Sequence, residues 1–203
     1  KRRTFLATAA ASLATPAVSQ PARVLRFIPQ ADLSTIDPHW NTAYVTRNHG
    51  FMVFDTLYGM DSAYRATPQM LAGHTTESDG LRWTLTLRDG LRWHDGTPVL
   101  ARDCVASIRR WGAKDTFGQA LLAATDELLA PDDRQIVFRL RRPFPLLPDA
   151  LAKSGVYMPA MMPERLARTD PATQVTEMVG SGPFRFKADE RLPGARAVYE
   201  RFA

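Results

Sequence analysis

The sequence has few of the features that anchor, cross-link or activate many proteins. It contains one cysteine among 203 residues, which excludes an internal disulfide framework and a cysteine-rich zinc module. No apolar run reaches the roughly 18 residues that a membrane-spanning helix needs. The formal net charge is +5, but the first 19 residues hold three basic and no acidic side chains. Without them the charge falls to +2, so charge does not indicate nucleic-acid binding.

Motifs for catalysis and metal binding are also missing. The four histidines, at positions 39, 49, 74 and 94, do not have the spacing of zinc ligands. Gly180-Ser181-Gly182 is followed by Pro183, which has no N–H group for a phosphate, and no G-x-S-x-G nucleophile motif occurs. Trp83 and Trp111 fall on predicted core faces rather than on a base-stacking surface. We therefore predict no cofactor, no metal, no nucleic-acid partner and no enzymatic activity.

The first 19 residues have the layout of an export signal. Lys1–Arg3 are basic, the stretch up to Val18 is mildly apolar and rich in alanine, and Ala17-Val18-Ser19 offers small residues to a signal peptidase. Arg2-Arg3 fits a twin-arginine (Tat) signal, and an ordinary Sec signal is the alternative. We predict an exported, soluble protein whose signal peptide is residues 1–19.

Hydrophobic periodicity indicates a mixture of helices and antiparallel strands. Residues 81–88 alternate between apolar and polar side chains, as a half-buried strand does, and 101–111 carry an apolar stripe at helical spacing. Asp89-Gly90 lies between two apolar stretches and predicts a hairpin. Further helices are expected at 46–57, 117–129, 146–152 and 163–168, and further strands at 23–28, 136–141, 184–186 and 197–202. The predicted fold class is α+β, a mixed α/β architecture.

A block from Pro68 to Trp111 is more specific than any of these patterns. It contains S-D-G-L at Ser78–Leu81, L-R-D-G at Leu87–Gly90 and H-D-G-T-P at His94–Pro98. Shorter motifs occur in order at Thr35–His39, Phe54–Tyr58, Pro131–Pro145 and Gly180–Phe184. Together these motifs resemble those of the peptide/nickel-type (family 5) extracytoplasmic solute-binding proteins of ABC transporters. One departure is Leu100, which cannot cap the helix at 101–111, so we expect either that Thr97 or Asp95 substitutes or that the first turn frays.

The resemblance implies one part of a two-lobed periplasmic binding protein. Such proteins have a type II-like fold, with two lobes hinged around a cleft. The matching parts here are the start of lobe I (20–49), an inserted α+β subdomain (50–178) and a return into lobe I (179–203). Family members are more than twice as long, and nothing here matches their second lobe. We therefore expect this chain to be an N-terminal portion, or fragment, of such a protein.

The resemblance also implies a function and a binding site. The expected function is capture of a small solute in the cleft and delivery to the permease subunits of an ABC transporter, by a monomer in a Gram-negative periplasm. Peptides are the first expectation, and nickel chelates, haem, opines and sugars are alternatives. The loop that lines the lobe I side of the cleft matches Trp40, Asn41, Tyr44, Thr46 and Arg47, and Lys153 is a further candidate. The alternative is that Trp40 packs beneath the loop and that Arg47 is only solvated. The alternative functions are a sensor or chaperone-like protein with the same fold, and an exported enzyme.

Overall fold

The structure is a computed structural model that describes residues 24–77 and 79–202. The predicted signal peptide, residues 1–19, lies outside the described residues. In the part that is described, no helix is both long and apolar enough to cross a bilayer. The helices are α1 (Tyr44–Val53), α2 (Ala101–Gly112), α3 (Thr116–Ala124), α4 (Leu147–Leu151) and α5 (Glu164–Ala167), with a short 3-10 turn at Ala188–Glu190. The strands are β1 (Tyr58–Met60), β2 (Ala66–Pro68), β3 (Leu71–Thr76), β4 (Arg82–Leu87), β5 (Thr125–Leu129), β6 (Gln135–Leu140), β7 (Phe184–Phe186) and β8 (Tyr199–Arg201).

The main sheet is antiparallel, with strand order β3-β4-β6-β5. The central strand β4 turns Trp83, Leu85 and Leu87 inward, and all three are buried. Its alternate residues, such as Arg82, point to the more exposed face. This confirms the strand that the alternation at 81–88 predicts. Two smaller antiparallel pairs, β1-β2 and β7-β8, complete the described strand pairing.

Helix α2 packs against this sheet through the predicted stripe. Ala101, Cys104, Ile108 and Trp111 are completely buried. Because these residues recur at three- and four-residue intervals, one helix face buries all of them and leaves other positions for polar side chains. The prediction for 101–111 is therefore confirmed, and Cys104 is a buried core residue rather than an accessible thiol.

The N-terminus of α2 is capped from within the helix. Asp103 Oδ2 accepts a hydrogen bond from the Leu100 N–H at 2.8 Å, and Oδ1 accepts one from the Glu164 N–H at 2.8 Å. The expectation that Thr97 or Asp95 replaces the missing cap is wrong, because Asp95 accepts from the N–H and hydroxyl of Thr97 instead. The Asp103 carboxylate therefore satisfies backbone donors at the starts of both α2 and α5.

A second apolar cluster joins α1 to the C-terminal part of the chain. It contains Val53 and Phe54 near the end of α1, together with Met158, Met162 and Phe186. The β7-β8 hairpin lies beside α1. The two clusters thus divide the described chain into a sheet-and-α2 part and an α1-and-hairpin part.

The predicted strand at 23–28 is wrong over the described residues 24–28. This segment belongs to no strand, and Val24, Leu25, Phe27 and Ile28 are 72–93% exposed. A strand requires a neighbouring chain for its backbone N–H and C=O groups. No strand among the described residues supplies one, so the apolar run stays extended and unpaired.

Three other predicted elements differ from those in the structure. The helix expected over 117–129 ends at Ala124 and continues as β5, with the Thr125 hydroxyl donating to the Leu121 carbonyl. The hairpin predicted at Asp89-Gly90 is wrong. Gly90 has a left-handed φ of 74° and a turn forms there, but residues 91–93 do not pair with β4 because β3 and β6 occupy both its edges. Helix α1 spans 44–53 rather than 46–57. The remaining predicted elements are confirmed within a few residues as β6, α4, α5, β7 and β8.

Candidate functional site

A buried ion pair holds the candidate loop against α2. Asp37 Oδ2 lies 2.8 Å from Arg110 Nη2, and both side chains are at most 1% exposed. Asp37 also accepts hydrogen bonds from the N–H groups of His39 and Val175. The Arg110 guanidinium donates to the backbone carbonyls of Thr169, Asp170 and Thr173. Because both buried charges are paired and hydrogen-bonded, this network fixes the position from which the candidate loop starts.

Trp40, the first candidate residue of the loop, lies beneath a lysine. The side chain is half-buried, and Lys114 Nζ lies 4.9 Å from its ring centroid, which is a cation–π distance. The next candidate, Asn41, accepts a hydrogen bond from the Ala43 N–H at 3.0 Å and so turns the chain into α1. Sequence reasoning missed Lys114, because a contact between positions 40 and 114 leaves no local pattern.

A second cation–aromatic pair, between Tyr44 and Arg47, lies in the first turn of α1. The Arg47 guanidinium lies 4.7 Å from the ring centroid of Tyr44, which is 61% exposed. Arg47 also donates to the side-chain oxygen of Asn48. Thr46, by contrast, is buried, and its hydroxyl donates to the Thr35 carbonyl at 2.7 Å. Thr46 therefore packs the loop onto α1 and presents no hydroxyl group at the surface.

The last candidate residue, Lys153, contacts Asp115, the residue that follows Lys114. Its ammonium group pairs with Asp115, which is 1% exposed. Asp115 is the N-cap of α3, where its Oδ1 accepts from the N–H groups of Phe117 and Gly118 at 2.9 and 3.0 Å. Lys114 contacts Trp40, and the next residue, Asp115, contacts Lys153. The predicted residues Trp40 and Lys153 therefore contact two consecutive positions of the chain just before α3. We call Trp40, Tyr44, Arg47, Lys114 and Lys153 the basic-aromatic surface.

The H-D-G-T-P and G-S-G-P-F motifs contact each other and the end of α1. The His94 N–H donates to the Gly180 carbonyl at 2.8 Å, and His94 Nε2 donates to the Gly182 carbonyl at 2.9 Å. The Gly182 N–H donates in turn to the Val53 carbonyl at the end of α1. A Cβ atom at Gly180 would lie only 2.0 Å from the same Val53 oxygen. These contacts join three backbone segments, as expected of structural residues.

The two histidines closest in sequence to the candidate loop are buried. Burial lowers the pKa of His39 to about 4 and that of His49 to about 3, so both rings are neutral at pH 7. His49 Nδ1 lies 2.7 Å from the Tyr199 hydroxyl, which occupies one of its ring nitrogens. Across residues 24–77 and 79–202, no group of three or more His, Cys, Asp or Glu side chains is placed to hold a metal ion.

The concavities identified in the described chain lie elsewhere. Two open depressions, of about 140 and 410 Å³, are lined by residues of 86–100 and 132–135 and contain no candidate residue. The basic-aromatic surface therefore lies outside both of these depressions.

A family model identifies the chain. The family described as bacterial extracellular solute-binding proteins, family 5 Middle, matches residues 65–203. The chain belongs to this family. Membership confirms the resemblance found in the sequence motifs. It also agrees with the prediction that the chain is not an enzyme, because the family consists of solute-binding proteins.

Curated relatives of this family 5 chain are much longer. A probable peptide ABC transporter periplasmic-binding protein from Sinorhizobium fredii, y4tO, is 43% identical over 170 residues, which cover 84% of this chain and 32% of that protein. The probable D,D-dipeptide-binding periplasmic protein DdpA of Escherichia coli is 27% identical over 78% of this chain and 32% of its own length. The chain thus spans about a third of the length of the relatives it matches.

Solved structures share the fold. The binding protein AgaA from A. tumefaciens R10 superposes with a TM-score of 0.69 at 22% identity, over 83% of this chain and 34% of AgaA. OppA from Haemophilus influenzae superposes with a TM-score of 0.68 at 20% identity, over 84% of this chain and 36% of OppA. The predicted α+β fold, as part of a periplasmic binding protein, is confirmed. The boundaries at 20–49, 50–178 and 179–203 stay predictions.

Proposed function

We propose that the protein containing this chain is the periplasmic substrate-binding component of an ABC importer for peptides or similarly small solutes. The basic-aromatic surface forms one wall of its binding cleft, and a second lobe forms the other. A solute favours the closed form only when it contacts both walls, because a ligand shifts a conformational equilibrium by its differential affinity for the two states. The closed, loaded protein then delivers the solute to the permease.

The family match over residues 65–203, with 43% identity to a probable peptide ABC transporter periplasmic-binding protein, carries this proposal. The signal-like residues 1–19 support export to a Gram-negative periplasm. The OppA structure contains the peptide RPPGFSPFR, the AgaA structure contains agropinic acid, and a NikZ structure from Campylobacter jejuni contains Ni(L-His). We place peptides first because the relative with 43% identity is described as a peptide-binding protein.

Uptake by the source bacterium tests the function. Deleting the gene should abolish growth on, or uptake of, a labelled di- or tripeptide, and the intact gene should restore it. The protein purified from the periplasm should carry a bound small solute, visible as added mass in native mass spectrometry. Unchanged peptide uptake after deletion, together with the absence of bound solute, would rule the proposal out.

Matched aromatic substitutions test the position of the site. Trp40→Ala removes a ring from the basic-aromatic surface and should weaken solute binding at least about tenfold, because a buried aromatic contact contributes over 1 kcal/mol. Tyr64→Ala is the control, since Tyr64 is 84% exposed in the turn between β1 and β2, outside this surface. Equal effects of the two substitutions would show that the solute does not contact Trp40.

A further inference from the structure

Two cation–aromatic pairs have their aromatic rings four positions apart in the sequence, at Trp40 and Tyr44. Lys114 Nζ is 4.9 Å from the Trp40 ring centroid, and the Arg47 guanidinium is 4.7 Å from that of Tyr44. In the described part of the chain, neither cation lies within 4.0 Å of an Asp or Glu oxygen. Both cations therefore keep donor capacity for a group that arrives from solvent.

The segment that contains Trp40 and Tyr44 has no exposed acidic residue of its own. No Asp or Glu occurs between Asp37 and Asp55. Asp37 is completely buried, and the Arg110 guanidinium pairs with it at 2.8 Å. The segment that carries Trp40 therefore has positive charge beside it without an exposed carboxylate of its own.

A second buried acid, Asp115, is adjacent to Lys114 in sequence. Its carboxylate is 1% exposed and pairs with Lys153, while it also caps α3. A buried carboxylate this close would repel an incoming anion if it were left uncompensated. Lys153 cancels that charge, so Lys114 keeps a net positive field in front of the Trp40 ring.

We infer that the solute carries a carboxylate that pairs with Lys114 above the Trp40 ring, with Lys153 acting as a positioning residue that neutralises Asp115. The inference deepens the proposed function and rests on it. A carboxylate forms an ion pair with Lys114 in which both partners are charged, whereas a neutral amide in its place offers Lys114 only an uncharged carbonyl oxygen. The difference corresponds to a preference of about tenfold or more for the acid.

A pair of probes that differ only at this group tests the inference. Trialanine has a free C-terminal carboxylate, and trialanine amide has the same chain with a neutral end. Calorimetric titration of the protein purified from its source should show at least about tenfold tighter binding of the acid. Trp40 is half-buried while Trp83, Trp93 and Trp111 are buried. A fluorescence change on binding should therefore be lost in Trp40→Phe.

Four lysine variants assign the charges. Lys114→Met should remove the preference for the acid, and Lys114→Arg should keep it. Lys153→Met should weaken binding of the acid, and adding Asp115→Asn should restore it, because asparagine still caps α3 without a charge. Lys187→Met is the control; its ammonium lies 4.0 Å from Asp189 in the segment after β7, and the substitution should leave both affinities unchanged.

The outcomes separate this inference from the proposed function. Equal affinity for the two probes, binding of neither, or an unchanged preference in Lys114→Met would overturn the inference. A bound solute in native mass spectrometry and loss of peptide uptake on deletion would still support the proposed function in that case. Absence of any bound solute together with normal uptake would refute both. Acid preference that Lys153→Met leaves intact would refute the role given to Lys153.

Discussion

Replacing Asp37 with asparagine should loosen the loop that leads to the basic-aromatic surface. The substitution keeps the shape of the side chain but removes its charge. In the native chain, Asp37 accepts three hydrogen bonds, from Arg110 Nη2 and from the N–H groups of His39 and Val175. The asparagine amide has only one oxygen, so its NH2 group must face at least one of these donors in either orientation.

The expected cost follows from the burial of the pair. Asp37 and Arg110 are at most 1% exposed, and the substitution leaves the Arg110 charge in the interior without its counterion. Breaking a buried pair by removing one partner costs about 3–5 kcal/mol. The opening equilibrium of this region should therefore shift by at least about 100-fold, since each tenfold change corresponds to about 1.4 kcal/mol.

Hydrogen exchange measures this opening in individual peptides, so the result does not depend on the total length of the protein. Peptides that contain the amides of His39 and Val175 should exchange at least about 100-fold faster in Asp37→Asn. Glu127→Gln is the matched control; it breaks the ion pair with Arg139, whose partners are 43% and 53% exposed and which is worth at most about 1 kcal/mol. If the two variants exchange alike in these peptides, the buried network does not hold the loop.

Two further predictions concern packing and pH. Gly180→Ala places a Cβ 2.0 Å from the Val53 oxygen and should destabilise the protein by about 1–3 kcal/mol. Gly73→Ala is the control, because its Cβ meets nothing within 4 Å and should have little effect. Thermal unfolding measures the stability of both variants. Burial lowers the pKa values of His39 and His49 from 6.5 to about 4 and about 3. The unfolded chain therefore binds protons first as the pH falls, so this stability should be fully present above about pH 7 and be lost from about pH 6.5 down to about 4 for His39 and about 3 for His49. Its slope should reach about 1.4 kcal/mol per pH unit for each histidine, and His49→Gln should make it shallower.

Elements that depend on their own periodicity were predictable. The stripe through Ala101, Cys104, Ile108 and Trp111 needs only one apolar surface on which to pack, so the pattern and the helix agree. Residues 24–28 have an equally apolar composition, but a strand also needs a partner, and composition does not say whether one is present. The turn at Asp89-Gly90 forms as predicted, yet the pairing of β4 depends on β6, about fifty residues further along the chain.

The basic-aromatic surface was predictable only in part. The motif resemblance indicated the loop that contains Trp40, Tyr44 and Arg47, but no local pattern pointed to Lys114. Tertiary contacts seen in the structure give Thr46 and Lys153 roles other than the predicted ones. Thr46 becomes a buried packing residue through its bond to Thr35, and Lys153 becomes the partner of a buried cap.

The residues that identify the family do not choose the solute. His94, Gly180 and Gly182 contact one another and Val53 almost entirely through backbone groups or through the absence of a side chain. Such contacts depend on how the chain is folded and would be the same for any solute. Under the proposed function, specificity comes from side chains that project from this frame, such as Lys114 and Arg47, and from the surface that faces them.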